Sequence, residues 1–364
     1  MNKALILTSI LLNIVCIGNA NLTLGFDANE YRMCLKILAQ QTDTNYAKIP
    51  MTPPEDCKLI YHSPDLGLDN QWNLWVKEDS TVIVSIRGSV GRTASWLENF
   101  YSGMLPASGT LKQPNKSDFN FTLSSRKDAA VHAGWLIGTA YLAPDITREL
   151  KDIQDQGYRN FIITGHSQGG VLSMLMTSYL HYQDAWFEGS TWKNYASAPP
   201  KPGNQAFAYD FDFITRGGKA FRVVNSQDWV PESPVSVQTL DDMNETSPLR
   251  NADQLFDEIG FVKRVFIKRL YYGLNNKLRN ARDKLIKNVG KRVFRYIKQE
   301  LPGIPEPKLI QSQFFVTCGV PIILAKAVGY DEYLSTLNRD GAFTHHMFKT
   351  YWYLINAHYP DQTN

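Results

Sequence analysis

Ser167 sits in Gly165-His166-Ser167-Gln168-Gly169, between an apolar run, Phe161-Ile162-Ile163, and a helix-like segment from Gly170 to Met176. Gly-x-Ser-x-Gly between a strand and a helix is the layout of a nucleophile elbow. Its two glycines let neighbouring backbone close around a strained turn, so the serine hydroxyl projects outward. An unactivated hydroxyl is a poor nucleophile, and the motif carries chemistry only if a base and an acid reach it from elsewhere. Such a site needs an imidazole to take the serine proton and a carboxylate to hold that imidazole in the right tautomer. On a strand-turn-helix elbow the chain order is serine, acid, histidine. The acid that fits is Asp228, in Val223-Val224-Asn225-Ser226-Gln227-Asp228-Trp229-Val230-Pro231, directly after a buried-looking strand. Loop capping is the plainer use of an aspartate there. The base is expected among the late histidines. His345 and His346 stand side by side before an aromatic helix, His358 stands near the C-terminus, and composition does not choose between the adjacent pair. The oxyanion would be held by the backbone N–H of Gln168 and by that of Ser89, in the loop Arg87-Gly88-Ser89. No His-Glu-x-x-His or Cys/His cluster points to a metal, and this chemistry calls for no metal or organic cofactor.

Elements must bring these residues together. Thr81 to Ile86 is a short β-branched run that reads as a buried strand, and Phe161 to Thr164 reads as another. Trp192 to Ala196 and Ala220 to Val224 extend the series. Helical spacing covers Asp128 to Gln156 and the segment from Ser167 to about Tyr182, with a further helix around Glu30 to Gln40 in an otherwise irregular lead-in, 21–78. Strands alternating with helices imply a parallel sheet with crossover helices, whose functional groups lie beyond the carboxyl ends of the strands. Arg87-Gly88-Ser89, Ser167 and Asp228 all fall at such ends.

These motifs together resemble the class 3 lipases, the group that includes the fungal triacylglycerol lipases. Ile83-Val84-Ser85-Ile86-Arg87-Gly88-Ser89 is similar to that family's strand and oxyanion loop, with Trp96-Leu97-Glu98-Asn99 as its Trp-x-x-Asn. Val131-His132-Ala133-Gly134-Trp135 resembles the His-x-Gly-aromatic step, with Trp where Phe is more usual. Pro199-Pro200-Lys201-Pro202-Gly203-Asn204-Gln205-Ala206-Phe207 resembles the Pro…Gly-Asn-x-x-Phe loop. His346 stands five residues before Tyr351, as in the family's His-x4-Tyr, which favours His346 over His345 as base. The likeness runs over roughly 80–240 and 314–356. It implies an α/β-hydrolase with a mostly parallel central sheet flanked by helices, and ester hydrolysis through an acyl-serine. A lid, if there is one, would lie at 90–100, where Trp96, Leu97 and Phe100 could equally be core.

Residues 261–300 depart from that pattern: they hold thirteen Lys/Arg and two acidic residues, a balance of +11 in a chain of net charge +3. Apolar residues recur there at three- to four-residue spacing, which reads as one or two amphipathic helices with breaks at Gly273 and Gly290. This basic helical insertion, 248–312, has three readings: an interfacial helix on an anionic membrane surface, a cap over the site, or a solvated helical pair. Nucleic acid is not an expected partner, since no binding motif accompanies the charge. At the N-terminus, Lys3, an apolar run and Gly18-Asn19-Ala20 have the layout of a signal peptide over 1–20, the alternative being an uncleaved anchor. The remaining 21–364 reads as one hydrolase domain. Cleavage leaves Cys34, Cys57 and Cys318; one Cys34–Cys57 bridge is open in an oxidising compartment, and Cys318 reads as a buried thiol in an apolar strand-like run. The expectation is a secreted or envelope serine esterase acting on acylglycerols or other lipid esters. The alternatives are a phospholipase A or lysophospholipase at membranes, and a membrane-binding protein with a vestigial site.

Overall fold

The computed structural model describes residues 22–41, 51–114, 116–183, 188–250, 261–337 and 341–360, so the expected signal peptide lies outside the described residues. Strand β3 (Thr81–Ile86) is buried at every position, and so is β8 (Asn160–His166). Strands of that kind lie inside a sheet covered on both faces. β3 pairs in parallel with β8, β8 with β9 (Thr191–Ser197), β9 with β10 (Ala220–Asn225) and β10 with β11 (Val320–Leu324). The antiparallel strands β1 (Cys57–His62) and β2 (Trp72–Lys77) complete the far edge, giving the order β1-β2-β3-β8-β9-β10-β11. Side chains alternate between two cores, as a pleated strand requires. Val82, Val84, Ile86, Phe161 and Ile163 pack against α3 (Ala133–Asp155) and α4 (Gln168–His181); Ile83, Ile162, Tyr195 and Phe221 pack against α1 (Ala28–Ala39) and α9 (Phe348–His358). The mostly parallel, helix-covered sheet of an α/β-hydrolase is thus the architecture present.

The lead-in is less irregular than its sequence reads, since it supplies β1 and β2. Alternation in β2 is broken by a buried Asn73, whose Oδ1 meets His62 Nδ1 at 2.7 Å, and β1 is a mostly exposed edge. α3 begins at Ala133, not near Asp128, because Ala130–His132 forms β7 against β4 (Met104–Pro106). A second ribbon pairs β5 (Ser108–Leu111) with β6 (Phe119–Thr122). α2 (Thr93–Phe100) follows the β3 loop, and α5 (Gln205–Ile214) follows β9. In the basic segment α6 (Phe261–Leu285) passes through Gly273 unbroken. A helix-interior glycine costs about 1 kcal/mol relative to alanine, too little to end a helix of this length. Gly290 lies within a π-helical stretch, Ile286–Arg292, that leads without a stop into α7 (Val293–Glu300). A short α8 (Tyr330–Thr336) precedes the final helix.

The Cys34–Cys57 bridge is not formed: both are free, with the buried Cys34 thiol bonded to Thr164 and Cys57 Sγ 3.6 Å from Asp56 Oδ1. Cys318 is a buried thiol, although it precedes β11 and is not part of a strand. Among the described residues no helix is long and apolar enough to cross a membrane, and no group of three or more His, Cys, Asp or Glu is placed to hold a metal ion.

Candidate active site

Ser167 joins β8 to α4 with φ 60° and ψ −128°, a conformation costly for a residue with a side chain and held only where surroundings over-determine it. Here those surroundings are backbone. A Cβ on Gly165 would stand 2.0 Å from the Gly169 carbonyl oxygen, and one on Gly169 would stand 2.2 Å from that of Ile86. Gly169→Ala is therefore expected to lose more than about 3 kcal/mol of stability, read by chemical denaturation, since backbone on both sides has no room to yield.

Asp228 follows β10 and is buried. Its Oδ2 accepts from His346 Nδ1 at 2.6 Å and from the Tyr351 hydroxyl at 2.8 Å, and its Oδ1 accepts from the Val230 N–H at 3.0 Å. Burial alone would raise its pKa, but these donors, His346 foremost, hold the carboxyl below its ordinary range. Because a carboxylate only accepts, Nδ1 carries the imidazole proton and Nε2 keeps its lone pair. His346 and Ser167 line one cavity. His345 turns away: its Nδ1 meets the Tyr330 hydroxyl at 3.1 Å, and its carbonyl accepts from Asn225 Nδ2 at 2.8 Å.

A second histidine braces the first. His166 Nε2–H donates to the His346 carbonyl at 2.8 Å, and its Nδ1 accepts from Ser197 Oγ at 2.9 Å, which in turn accepts from the Tyr31 hydroxyl at 2.7 Å. Burial, helped by neighbouring His346, pushes His166 down to about 3, so it stays neutral and keeps this one tautomer. Its position inside the elbow motif is visible in sequence; its task is not, because its partner lies 180 residues away.

The two expected oxyanion residues are tied to each other. Ser89 Oγ donates to Gln168 Oε1 at 2.7 Å, and Asn99 Nδ2 donates to Ser89 Oγ at 2.8 Å and to Gln168 Oε1 at 3.2 Å. Trp135 Nε1 fixes Asn99 through its Oδ1 at 2.9 Å. This arrangement leaves the Ser89 and Gln168 side chains occupied with one another, so any oxyanion is left to backbone N–H groups.

Ser167 and His346 open into a cavity of about 680 Å³ with largely apolar walls. Trp96 of α2 lies 6.0 Å, ring to ring, from Phe343, which lies 5.4 Å from Trp229. Leu285, ending α6, and Val289, in the π-helical stretch, line the same cavity. Of the three readings of the basic segment, its C-terminal part is thus a wall of the site. Within 90–100, residues 93–100 form α2, with Ser95 and Glu98 buried, Trp96 on the cavity and Phe100 56% exposed.

Residues 83–238 match the family model described as Lipase (class 3). That stretch, under half of the chain, is similar to the class 3 lipases. The chain is 28% identical over 184 residues to a secreted mono- and diacylglycerol lipase of Malassezia globosa, covering 50% of this chain and 56% of that one. It is 39% identical over 106 residues to a secreted mono- and diacylglycerol lipase of Gibberella zeae, covering 29% of this chain and 32% of the relative. It therefore spans about half, or less, of the length of the curated relatives it matches. The solved lipase from Rhizopus microsporus var. chinensis superimposes on 57% of this chain and 69% of its own, at 24% identity and a TM-score of 0.41.

Proposed function

We propose that this protein is an exported serine esterase that hydrolyses carboxylic esters of lipids, acylglycerols foremost. Ser167 Oγ attacks the ester carbonyl as His346 Nε2 takes its proton, and the N–H groups of Ser89 and Gln168 hold the tetrahedral oxyanion. His346 then protonates the departing alcohol, leaving the acyl group on Ser167. Water, deprotonated by His346, attacks that ester and releases the fatty acid. The observation that carries this reading is the Asp228–His346 bond at 2.6 Å beside an apolar cavity that Ser167 also lines. The names of the relatives support partial acylglycerols as substrates and export as the destination, in line with the leader-like N-terminus. A panel of mono-, di- and triacylglycerols with phospholipid vesicles tests it; turnover confined to phospholipids would replace the acylglycerol reading with a phospholipase. Compared side by side, His346→Ala should lose at least about 10³-fold in kcat and His345→Ala less than about tenfold; the reverse order would move the base to His345.

The same enzyme works at an anionic membrane surface through residues 261–300. In the N-terminal half of α6, Val262, Phe266, Leu270 and Leu274 follow at four-residue intervals on one helical face and are all exposed, from 58% to 80%. Exposed Lys263, Arg269 and Lys277 accompany them. An apolar ridge with basic flanks suits a headgroup layer. The C-terminal half is clamped to the domain: Arg282 Nη1 and Arg279 Nε each meet Asp241 Oδ2 at 2.9 Å, and Asn275 Oδ1 accepts from the Leu240 N–H at 3.1 Å. Since the clamped end carries Leu285 into the cavity, Leu285→Trp is expected to shift acyl preference toward shorter chains by roughly tenfold in kcat/KM, a pocket-volume effect of about 1–2 kcal/mol.

A further inference from the structure

Glu98 is a carboxylic acid buried completely, next to Asn99 in sequence and at the end of the network that ties the oxyanion residues together. Four side chains form a directed chain. Ser89 Oγ donates to Gln168 Oε1, Gln168 Nε2 donates to Asn70 Oδ1 at 3.4 Å, and Asn70 Nδ2 donates to Glu98 Oε2 at 2.5 Å. Each amide is oriented by the next, and Glu98 is the terminal acceptor that gives the chain its sense. Were Asn70 to turn over, its NH2 would face the Gln168 NH2, and Gln168 would have to turn as well, presenting donors to Ser89 and Asn99. The space for the acid is built in: a Cβ on Gly138 of α3 would stand 2.2 Å from Glu98 Oε1.

We propose that Glu98 is a positioning residue of the oxyanion hole, fixing Asn70 and the Gln168 side chain and through them the relative placement of Ser89 and Gln168. The proposal rests on the esterase reading of Ser167. It requires the carboxyl to be protonated, which its surroundings enforce. Glu98 Oε1 has no hydrogen-bond partner among the described residues, and no Lys or Arg there forms an ion pair with the acid. An ionised carboxylate in such a place lacks the several donors or the cation that would stabilise it. Burial accordingly pushes Glu98 up to about 8, against the weaker pull of Asn70 and Gln168. The charged and titratable groups around it do not offset this. Asp69 adds like charge and is itself paired to Arg92 at 3.2 Å, Asp65 is paired to Arg87 and Arg92, His132 before α3 is held neutral by burial, and Tyr101 follows α2 as a neutral phenol. On α7, which packs on α2, Arg295 and Lys298 are exposed to solvent. When Glu98 ionises, a fixed negative charge enters the network that holds the oxyanion donors and opposes the charge that develops on the substrate.

The test compares wild type with E98Q and E98L on a soluble p-nitrophenyl ester from pH 5 to 9.5. Wild type is expected to lose kcat on the alkaline side with a midpoint near pH 8, and E98Q to lose that limb. E98L should lower kcat roughly tenfold with KM within about twofold, and E98Q should recover most of that loss. An alkaline limb that persists in E98Q with the same midpoint overturns the proposal, as does full kcat in E98L. Should E98L not fold, the E98Q profile decides alone. Thermal melting reads the acid independently of turnover. A carboxyl raised in the folded state costs nothing below its ordinary range and increasingly more up to about pH 8. The melting temperature of E98Q should therefore rise above that of wild type between pH 5 and 8. A pH-independent difference contradicts a buried neutral acid. Absence of wild-type hydrolysis with the melting result intact would instead refute the esterase reading.

Discussion

Asp228→Asn is expected to lower kcat about 10⁴-fold while the protein stays folded, because the substitution reverses the imidazole tautomer without removing a side chain. The introduced amide can keep its oxygen toward the Val230 N–H, where Asp228 Oδ1 now accepts at 3.0 Å. Its NH2 then faces His346 Nδ1 and donates to it. The imidazole proton moves to Nε2, the nitrogen that must take the proton of Ser167. The Tyr351 hydroxyl, which now donates to Oδ2 at 2.8 Å, can rotate and accept. A pH signature accompanies the rate effect. The Asp228 carboxyl is held below its ordinary range in the fold, so its contribution to stability is present above that range and is lost as pH falls through it. An amide does not titrate, and the mutant's stability curve should be flatter on the acid side. Steady-state kinetics and melting curves from pH 3 to 7 check both; a loss of kcat under tenfold would contradict the assigned role.

The second large effect lies on the exposed apolar face of α6. Phe266→Asp with Leu270→Asp is expected to weaken binding to anionic vesicles at least about 100-fold. Burying one such side chain is worth roughly 1.5–3 kcal/mol. The pair is 68% and 66% exposed, so about two thirds of that gain is available to a lipid surface. The new carboxylates also repel anionic headgroups. Wild-type binding should fall as salt rises, since the flanking Lys and Arg charges act over a screening length of about 8–10 Å. Sedimentation with vesicles at two salt concentrations measures both, with hydrolysis of a soluble ester as the control for folding. Equal binding by mutant and wild type would remove this segment from the membrane reading.

What can be read in the chain follows local chemistry. The elbow, β3 and β8 are legible because β-branched runs buried on both faces have few alternatives, and because Gly165 and Gly169 flank the serine at fixed spacing. β2 is not, since a buried Asn73 and two tryptophans mask its alternation. Gly273 reads as a helix stop and is not one, because a helix of 25 residues absorbs a single glycine. The reach of Leu285 and Val289 into the cavity depends on where a long helix lands, which no local pattern encodes. Nothing in Trp-Leu-Glu-Asn marks Glu98 for burial; its seat beside Gly138 and Asn70 exists only after the sheet has formed.

Covalent trapping decides whether the Ser167 hydroxyl is the nucleophile. A p-nitrophenyl alkylphosphonate should release one equivalent of p-nitrophenol per active protein and leave the phosphonyl group on the peptide that contains Ser167. S167A should release none and should hydrolyse esters at least about 10⁴-fold more slowly than wild type. Its melting temperature should stay close to that of wild type, because alanine keeps the Cβ and with it the same strain at φ 60°. An adduct on another residue, or undiminished hydrolysis by S167A, would contradict the account.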